Sequence, residues 1–367
     1  MTLKEKIGQL FMFGFHGRSP GKAIERFIKE FHVGGVIVFS RNLQNPAQTA
    51  KLTNALQAAT PKMPLFIAVD QEGGRVSRLP KGFTIFPSSA RVASGHSAPL
   101  VYQAAEITAK ELRAVGINMN FAPVLDIDTN PDNPIIGDRA FGSDHETVST
   151  MGLTALAGLQ DNRVVACGKH FPGHGDTSAD SHNELPEVGH TLQRLGDIEL
   201  RPFVHGIQNG LASIMTAHVM YPKVDPDNPA TLSPKIIKGI LRNQFRFKGV
   251  VVTDDMEMRA ITDKYDVAEA SVRALEAGAD LILICHQEDR QMAAIEAVTK
   301  AVKEKRISED RIEQSLLRIL QVKEKYVLPF ERAELANVRE VVGCSSHQIF
   351  LESLLEKTQE PSPSGKA

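Results

Sequence analysis

Eight short apolar runs, each followed by a stretch with helical spacing, constrain this chain more than any other feature. The runs occupy positions 10–15, 34–39, 65–70, 118–123, 164–169, 212–217, 249–254 and 280–285. They are rich in Val, Ile and Leu without strict polar alternation, the pattern of strands buried on both faces. Helical patterns lie between them at 21–30, 47–59, 102–115, 146–160, 195–208, 234–244 and 268–277, and two more follow at 289–303 and 310–325. Parallel strands need a crossover, which a helix supplies. Eight such units predict an α/β fold, a TIM-type (β/α)8 barrel in a single domain, with a doubly wound open sheet as the runner-up. The barrel is expected over 1–335, a helical extension over 336–355, and a disordered Pro/Ser-rich tail over 356–367.

Composition narrows the partners. A formal net charge of −2 gives no basic excess for nucleic acid or an anionic membrane. The apolar runs are too short for a bilayer, and residues 1–6 (Met-Thr-Leu-Lys-Glu-Lys) do not begin a signal peptide. The reading is therefore cytoplasmic, with no membrane and no nucleic acid as partner. Cys167, Cys285 and Cys344 are scattered and odd in number, which favours free thiols over a disulfide or metal cluster.

Polar residues gather where the strands should end, the position of binding groups in parallel α/β folds. Residues 169–182 read Lys-His-Phe-Pro-Gly-His-Gly-Asp-Thr-Ser-Ala-Asp-Ser-His. The third run ends in Asp70-Gln71-Glu72-Gly73-Gly74-Arg75-Val76-Ser77-Arg78, where Asp70 and the arginines offer acceptors and donors, or form a structural ion pair. After the fourth, Asp126 and Asp128 read as loop-fixing. Arg139 either orients a substrate hydroxyl or pins its loop through Asp138. The sixth ends at His218, read as a hydrogen-bonded pocket wall. The seventh ends at Asp254-Asp255, where spacing cannot choose which carboxylate faces the pocket.

Three chemistries fit this set: a retaining glycosidase with Asp254 as nucleophile, a metal-dependent hydrolase using His170, His174, Asp176, Asp180 and His182, and a non-catalytic sugar-binding barrel. Asp180-Ser181-His182 favours the first. A carboxylate two residues from an imidazole can fix its tautomer, and an imidazole titrating near pH ~6.5 suits proton transfer in both directions. A metal site usually draws on several strands, whereas these histidines crowd one segment.

The run 169–177 with Asp180-Ser181-His182 resembles the family 3 glycoside hydrolases, specifically the β-N-acetylglucosaminidases of the NagZ type. Residues 68–76, 137–139, 217–219 and 253–256 match in the family's order, and the likeness extends from about residue 8 to about residue 350. It implies a TIM-type barrel with Asp254 as the nucleophile, His182 as the acid/base and Asp180 as its orienting partner. Asp70, Arg78, Arg139, Lys169 and His170 then hold N-acetylglucosamine, with His218 counted among the substrate contacts, while His174 and Asp176 shape a mobile loop. The implied activity is exo-acting release of terminal GlcNAc from muropeptide-type or chito-oligosaccharide substrates, without metal or organic cofactor, in cell-wall recycling. Some relatives with a similar dyad are phosphorylases, which makes phosphorolysis the alternative. Residues 343–348 resemble the lead-in to a second domain of longer members, and a two-domain arrangement is not assumed.

Overall fold

The computed structural model describes residues 1–60 and 62–358. Its eight parallel strands are β1 (Phe11–Phe13), β2 (Gly35–Val38), β3 (Phe66–Val69), β4 (Met119–Asn120), β5 (Val165–Phe171), β6 (Ser213–Thr216), β7 (Val250–Thr253) and β8 (Ile282–Ile284). Each overlaps one apolar run. Every strand residue is buried, because interior side chains fill the barrel and exterior ones pack under the helices. Neighbours pair in the order β7-β6-β5-β4-β3-β2-β1-β8. The β7–β8 seam closes through one bridge, Val252 to Leu281, with Thr253 N–H donating to Leu281 C=O at 3.0 Å and Met256 N–H to Leu283 C=O at 2.9 Å. The open sheet is thereby set aside for a nearly closed barrel.

The helices form where caps and an apolar stripe agree. Glu309–Tyr326 starts at Ser308, whose hydroxyl accepts from Arg311 N–H, and buries Ile312, Leu316, Ile319 and Val322 on one face. His145–Gln160 starts at Asp144, whose carboxylate accepts from Thr147 N–H at 2.8 Å.

Two departures from expectation bear on the site and its flank. The single helix expected over 195–208 is two, Leu192–Asp197 and Arg201–Gln208. Ile198 leaves helical geometry at φ −130°, and Pro202 sits in the first turn of the second helix, where its missing N–H costs nothing. β5 runs two residues past its expected end, so Lys169, His170 and Phe171 are strand residues. Its register against β6 shifts between Gly168 and Phe171. Such a bulge re-aims side chains, and here both Lys169 and His170 reach the barrel mouth.

After the barrel, helices Leu335–Val341 and Ser345–Lys357 pack back onto its side. Leu354 is wholly buried in a cluster with Phe86, Val92, Val101 and Ile107. The buried Glu111 carboxylate accepts from Thr84 N–H and Oγ1–H, Gly343 N–H and His347 Nδ1–H, clasping this segment to the barrel. The tail expected from residue 356 is corrected at its start. Glu356 and Lys357 complete the last helical turn, and Thr358 is buried with its hydroxyl on Leu354 C=O at 2.8 Å. Residues 359–367 lie outside the described residues. Among the described residues no helix is long and apolar enough to cross a membrane.

Candidate active site

The carboxyl ends of β3, β5, β6 and β7 and the loops after β3, β4 and β5 enclose a cavity of about 110 Å³. Asp70, Arg78, Arg139, Lys169, His170, His182 and Asp254 all line it, although they are spread over 185 positions of sequence. Asp180 stands behind His182. His218 is the exception: it is fully buried outside the lining, its Nδ1 2.8 Å from Thr231 Oγ1 and its Nε2 3.0 Å from Asp255 C=O. The expected substrate contact is thus corrected to a support under the end of β7. A histidine at the end of a buried strand satisfies both ring nitrogens locally, which position alone does not reveal.

The choice between the two aspartates resolves by direction. Asp254 faces the cavity, its Oδ1 accepting from Asp255 N–H at 2.8 Å. Asp255 turns away to accept from Cys285 N–H at 3.2 Å and Glu257 N–H at 3.1 Å, with His286 Nε2 3.3 Å away. Burial alone would raise the Asp254 carboxyl, but His218, His170, the Asp255 N–H and His182 together hold it below the usual carboxylate range. It is a carboxylate at neutral pH.

The β3 and β5 ends form a knot of charge. Lys169 Nζ donates to Asp70 Oδ1 at 2.7 Å and lies 2.6 Å from Glu72 Oε1. Arg139 grips Glu72 in bidentate fashion, Nε at 2.8 Å and Nη2 at 2.9 Å, and gives Nη1 to Ile135 C=O at 3.0 Å. Desolvation opposes the charged form of Glu72, yet Lys169 and Arg139 hold its carboxyl far below the ordinary value. Of the two alternatives for Arg139, the loop pin through Asp138 is not made: Asp138 pairs with Arg75 at 3.1 Å. Glu72 is the residue that sequence reasoning passed over. Its signal was present, since it stands two positions beyond Asp70, the spacing that returns a side chain to the same face of an extended segment. Arg78 keeps Nε buried and without a partner among the described residues.

Asp126 organises the floor. Fully buried, it accepts from His170 N–H at 3.1 Å, His170 Nδ1–H at 2.6 Å and His174 N–H at 2.7 Å. Burial pushes its carboxyl up, and the two histidines outweigh that and lower it. The loop-fixing role expected of it holds. On the loop after β5, Asp180 Oδ1 accepts from His182 N–H and stands 2.8 Å from His182 Nδ1. Burial raises the Asp180 carboxyl, and the two His182 bonds prevail and lower it. An ionised Asp180 takes Nδ1–H, leaving Nε2 of an exposed ring to exchange protons.

Each candidate metal ligand is engaged by a neighbouring side chain. His170 is held by Asp126, His174 by Thr177 and Ser181, and Asp180 by His182, while Asp176 lies 2.7 Å from His190. Among the described residues no group of three or more His, Cys, Asp or Glu is placed to hold a metal ion.

Known proteins resemble this chain in sequence and in fold. β-Hexosaminidase A of Pseudoalteromonas piscicida is 34% identical over 351 residues, covering 89% of this chain and 58% of its own length. A structure of a glycoside hydrolase family 3 β-N-acetylglucosaminidase from Paenibacillus sp. FPU-7 superposes with TM-score 0.95 at 46% identity, covering 98% of this chain and 69% of that one. The β-glucoside phosphorylase BglX superposes with TM-score 0.87 at 26% identity, covering 96% of this chain and 64% of that one. The chain thus spans little more than half of that hexosaminidase. The pattern of the glycosyl hydrolase family 3 N-terminal domain matches residues 2–322, and the chain belongs to that family.

Proposed function

We propose that the protein is an exo-acting, retaining β-N-acetylglucosaminidase that takes non-reducing terminal GlcNAc from muropeptide-type or chito-oligosaccharide substrates. The observation that carries this reading is one cavity lined by a buried, ionised Asp254 and by a histidine whose tautomer Asp180 sets. Asp70, Glu72 and Asp254 supply three negative charges to its wall, and Arg78, Arg139 and Lys169 three positive ones. A balanced wall dense in donors and acceptors suits a neutral polyhydroxylated ring. The unpartnered Arg78 Nε is a donor that a sugar oxygen satisfies.

In the first half-reaction an Asp254 oxygen bonds to the anomeric carbon as the glycosidic C–O bond breaks. Protonated His182 gives its Nε2 proton to the departing oxygen. In the second, neutral His182 takes a proton from water, the water oxygen bonds to the anomeric carbon, and the Asp254 ester bond breaks. A histidine in place of the usual second carboxylate adds no negative charge beside an anionic aglycone. The same property admits phosphate as acceptor, and likeness to a β-glucoside phosphorylase supports that second reading.

The test is release of aryl alcohol from aryl β-N-acetylglucosaminide and aryl β-glucoside, in chelator, with and without phosphate. Hydrolysis of the first, indifferent to phosphate, is expected. Phosphate-dependent formation of sugar 1-phosphate identifies a phosphorylase, and turnover lost in chelator identifies a metal-dependent hydrolase. His182→Ala is expected to slow substrates with poor leaving groups at least ~10²-fold while sparing activated aryl glycosides in the first half-reaction. Equal losses contradict the acid role.

A further inference from the structure

We propose that His174 is a positioning residue for the acid/base histidine: it anchors Ser181, and through Ser181 fixes where Asp180 and His182 stand over the sugar. The proposal rests on the hydrolase reading above.

Hydrogen positions follow from the bonds around the His174 ring. Thr177 Oγ1 gives its one proton to His174 C=O at 3.1 Å, so it must accept at its contact with His174 Nδ1, 2.9 Å away. Nδ1 therefore carries the proton. In a neutral ring Nε2 is then an acceptor, and Ser181 Oγ–H, at 3.1 Å, donates to it. The ring is 2% exposed, and burial pushes it down to about 4, so it stays neutral through the range in which His182 works. Only the neutral Nδ1–H tautomer makes both contacts as described. A charged ring would reverse the bond to Ser181, with Nε2–H donating to the hydroxyl oxygen.

This bond matters because the dyad has little else to hold it. Among the described residues, the side-chain hydrogen bonds of Asp180 and His182 stay within positions 180–183. His182 has 64% of its side chain exposed. Ser181 between them is the tie to the rest of the molecule: its hydroxyl goes to His174 and its carbonyl accepts from Ala260 N–H at 3.2 Å. The anchor is itself built into the sugar site. Asp126 takes His174 N–H on Oδ1 and His170 Nδ1–H on Oδ2, so one buried carboxylate sets both the ring on the cavity wall and the root of the loop. The connected path runs His170, Asp126, His174, Ser181, and then the dyad.

The test compares Ser181→Ala, His174→Phe and the double variant with wild type, on an N-acetylglucosaminide with a poor alkyl or sugar leaving group and on an activated aryl one. Displacing a catalytic group by about 1 Å costs up to ~10²-fold. Each single variant is therefore expected to lose ~10- to 100-fold in kcat/KM on the poor leaving group and less than ~3-fold on the activated one. The double variant should be no worse than either single, and His174→Gln, which keeps an acceptor toward Ser181, should recover most of the loss. Equal losses on the two substrates, additive losses in the double variant, or no loss at all overturn the proposal while leaving the hydrolase reading intact. A wild type inactive on both substrates overturns the reading and the proposal with it. Independently of any variant, imidazole nitrogen NMR on the wild type should show His174 as the neutral Nδ1–H tautomer at pH 7, and the Nε2–H form would contradict it.

Discussion

Neighbouring groups set the charge of Asp254, Glu72 and His174, and the consequences are measurable. His174 is the clearest case: the unfolded ring takes its proton near pH ~6.5, whereas the folded one refuses it until about 4. Between those values the unfolded state binds more protons. The stabilising preference for a neutral ring is therefore complete above pH ~6.5 and is lost as pH falls toward 4. Denaturant unfolding should show about 2 kcal/mol less stability at pH 5 than at pH 7 from this residue. The slope should flatten in His174→Gln, and an unchanged slope would mean that another group carries it. At this scale the sequence was informative about types and poor about partners. Asp70, Lys169, His170 and Asp254 were legible because they stand at the ends of apolar runs, and His182 because it stands two positions from Asp180. Glu72 was legible in its spacing from Asp70 but not in its partners, Arg139, 67 positions away, and Lys169, 97 positions away. His218 was legible as a strand-end histidine but not as one satisfied by Thr231 and Asp255.

At the scale of elements, the eight strands were legible because a fully buried strand must be a short unbroken apolar run. Their ends were less so. The run closing at Lys169 continues to Phe171 because the β5 bulge keeps polar side chains inside a strand, where hydrophobicity gives no sign of them. The break between Leu192–Asp197 and Arg201–Gln208 falls where Ile198 leaves helical geometry, which apolar spacing does not mark. The C-terminal helix Ser345–Lys357 makes a prediction of its own. Leu354 fills the cluster with Phe86 and Val101, and Leu354→Ala should cost about 3 kcal/mol of stability, as truncation of a buried leucine does. Turnover at 25 °C should be unchanged, since no residue of that helix lines the cavity. A loss under 1 kcal/mol in denaturant titration would show that the helix is not packed as described.

Over the whole molecule, charge is close to balanced. The chain carries a net −2, and the cavity wall has three acidic and three basic side chains. Steering of a neutral glycoside is then weak, and kcat/KM for an aryl N-acetylglucosaminide should vary less than about two-fold between ~0.01 and ~0.3 M salt. A steep fall would reveal a charged entrance. The barrel count was legible from the number of apolar runs, whereas the closing β7–β8 contact, resting on a single bridge, was not. The adjacency of β5, β6 and β7 brings Asp254, at the end of β7, and His182, on the loop after β5, into one cavity. Covalent trapping tests that claim most directly: the enzyme is inactivated with a 5-fluoro-N-acetylglucosaminyl fluoride, digested, and the labelled peptide sequenced by mass spectrometry. The account predicts one sugar ester on Asp254, absent from Asp254→Asn, which should also lose turnover by ~10⁴-fold or more. A label on Asp255, or release of GlcNAc with inverted anomeric configuration and no covalent adduct, would contradict it.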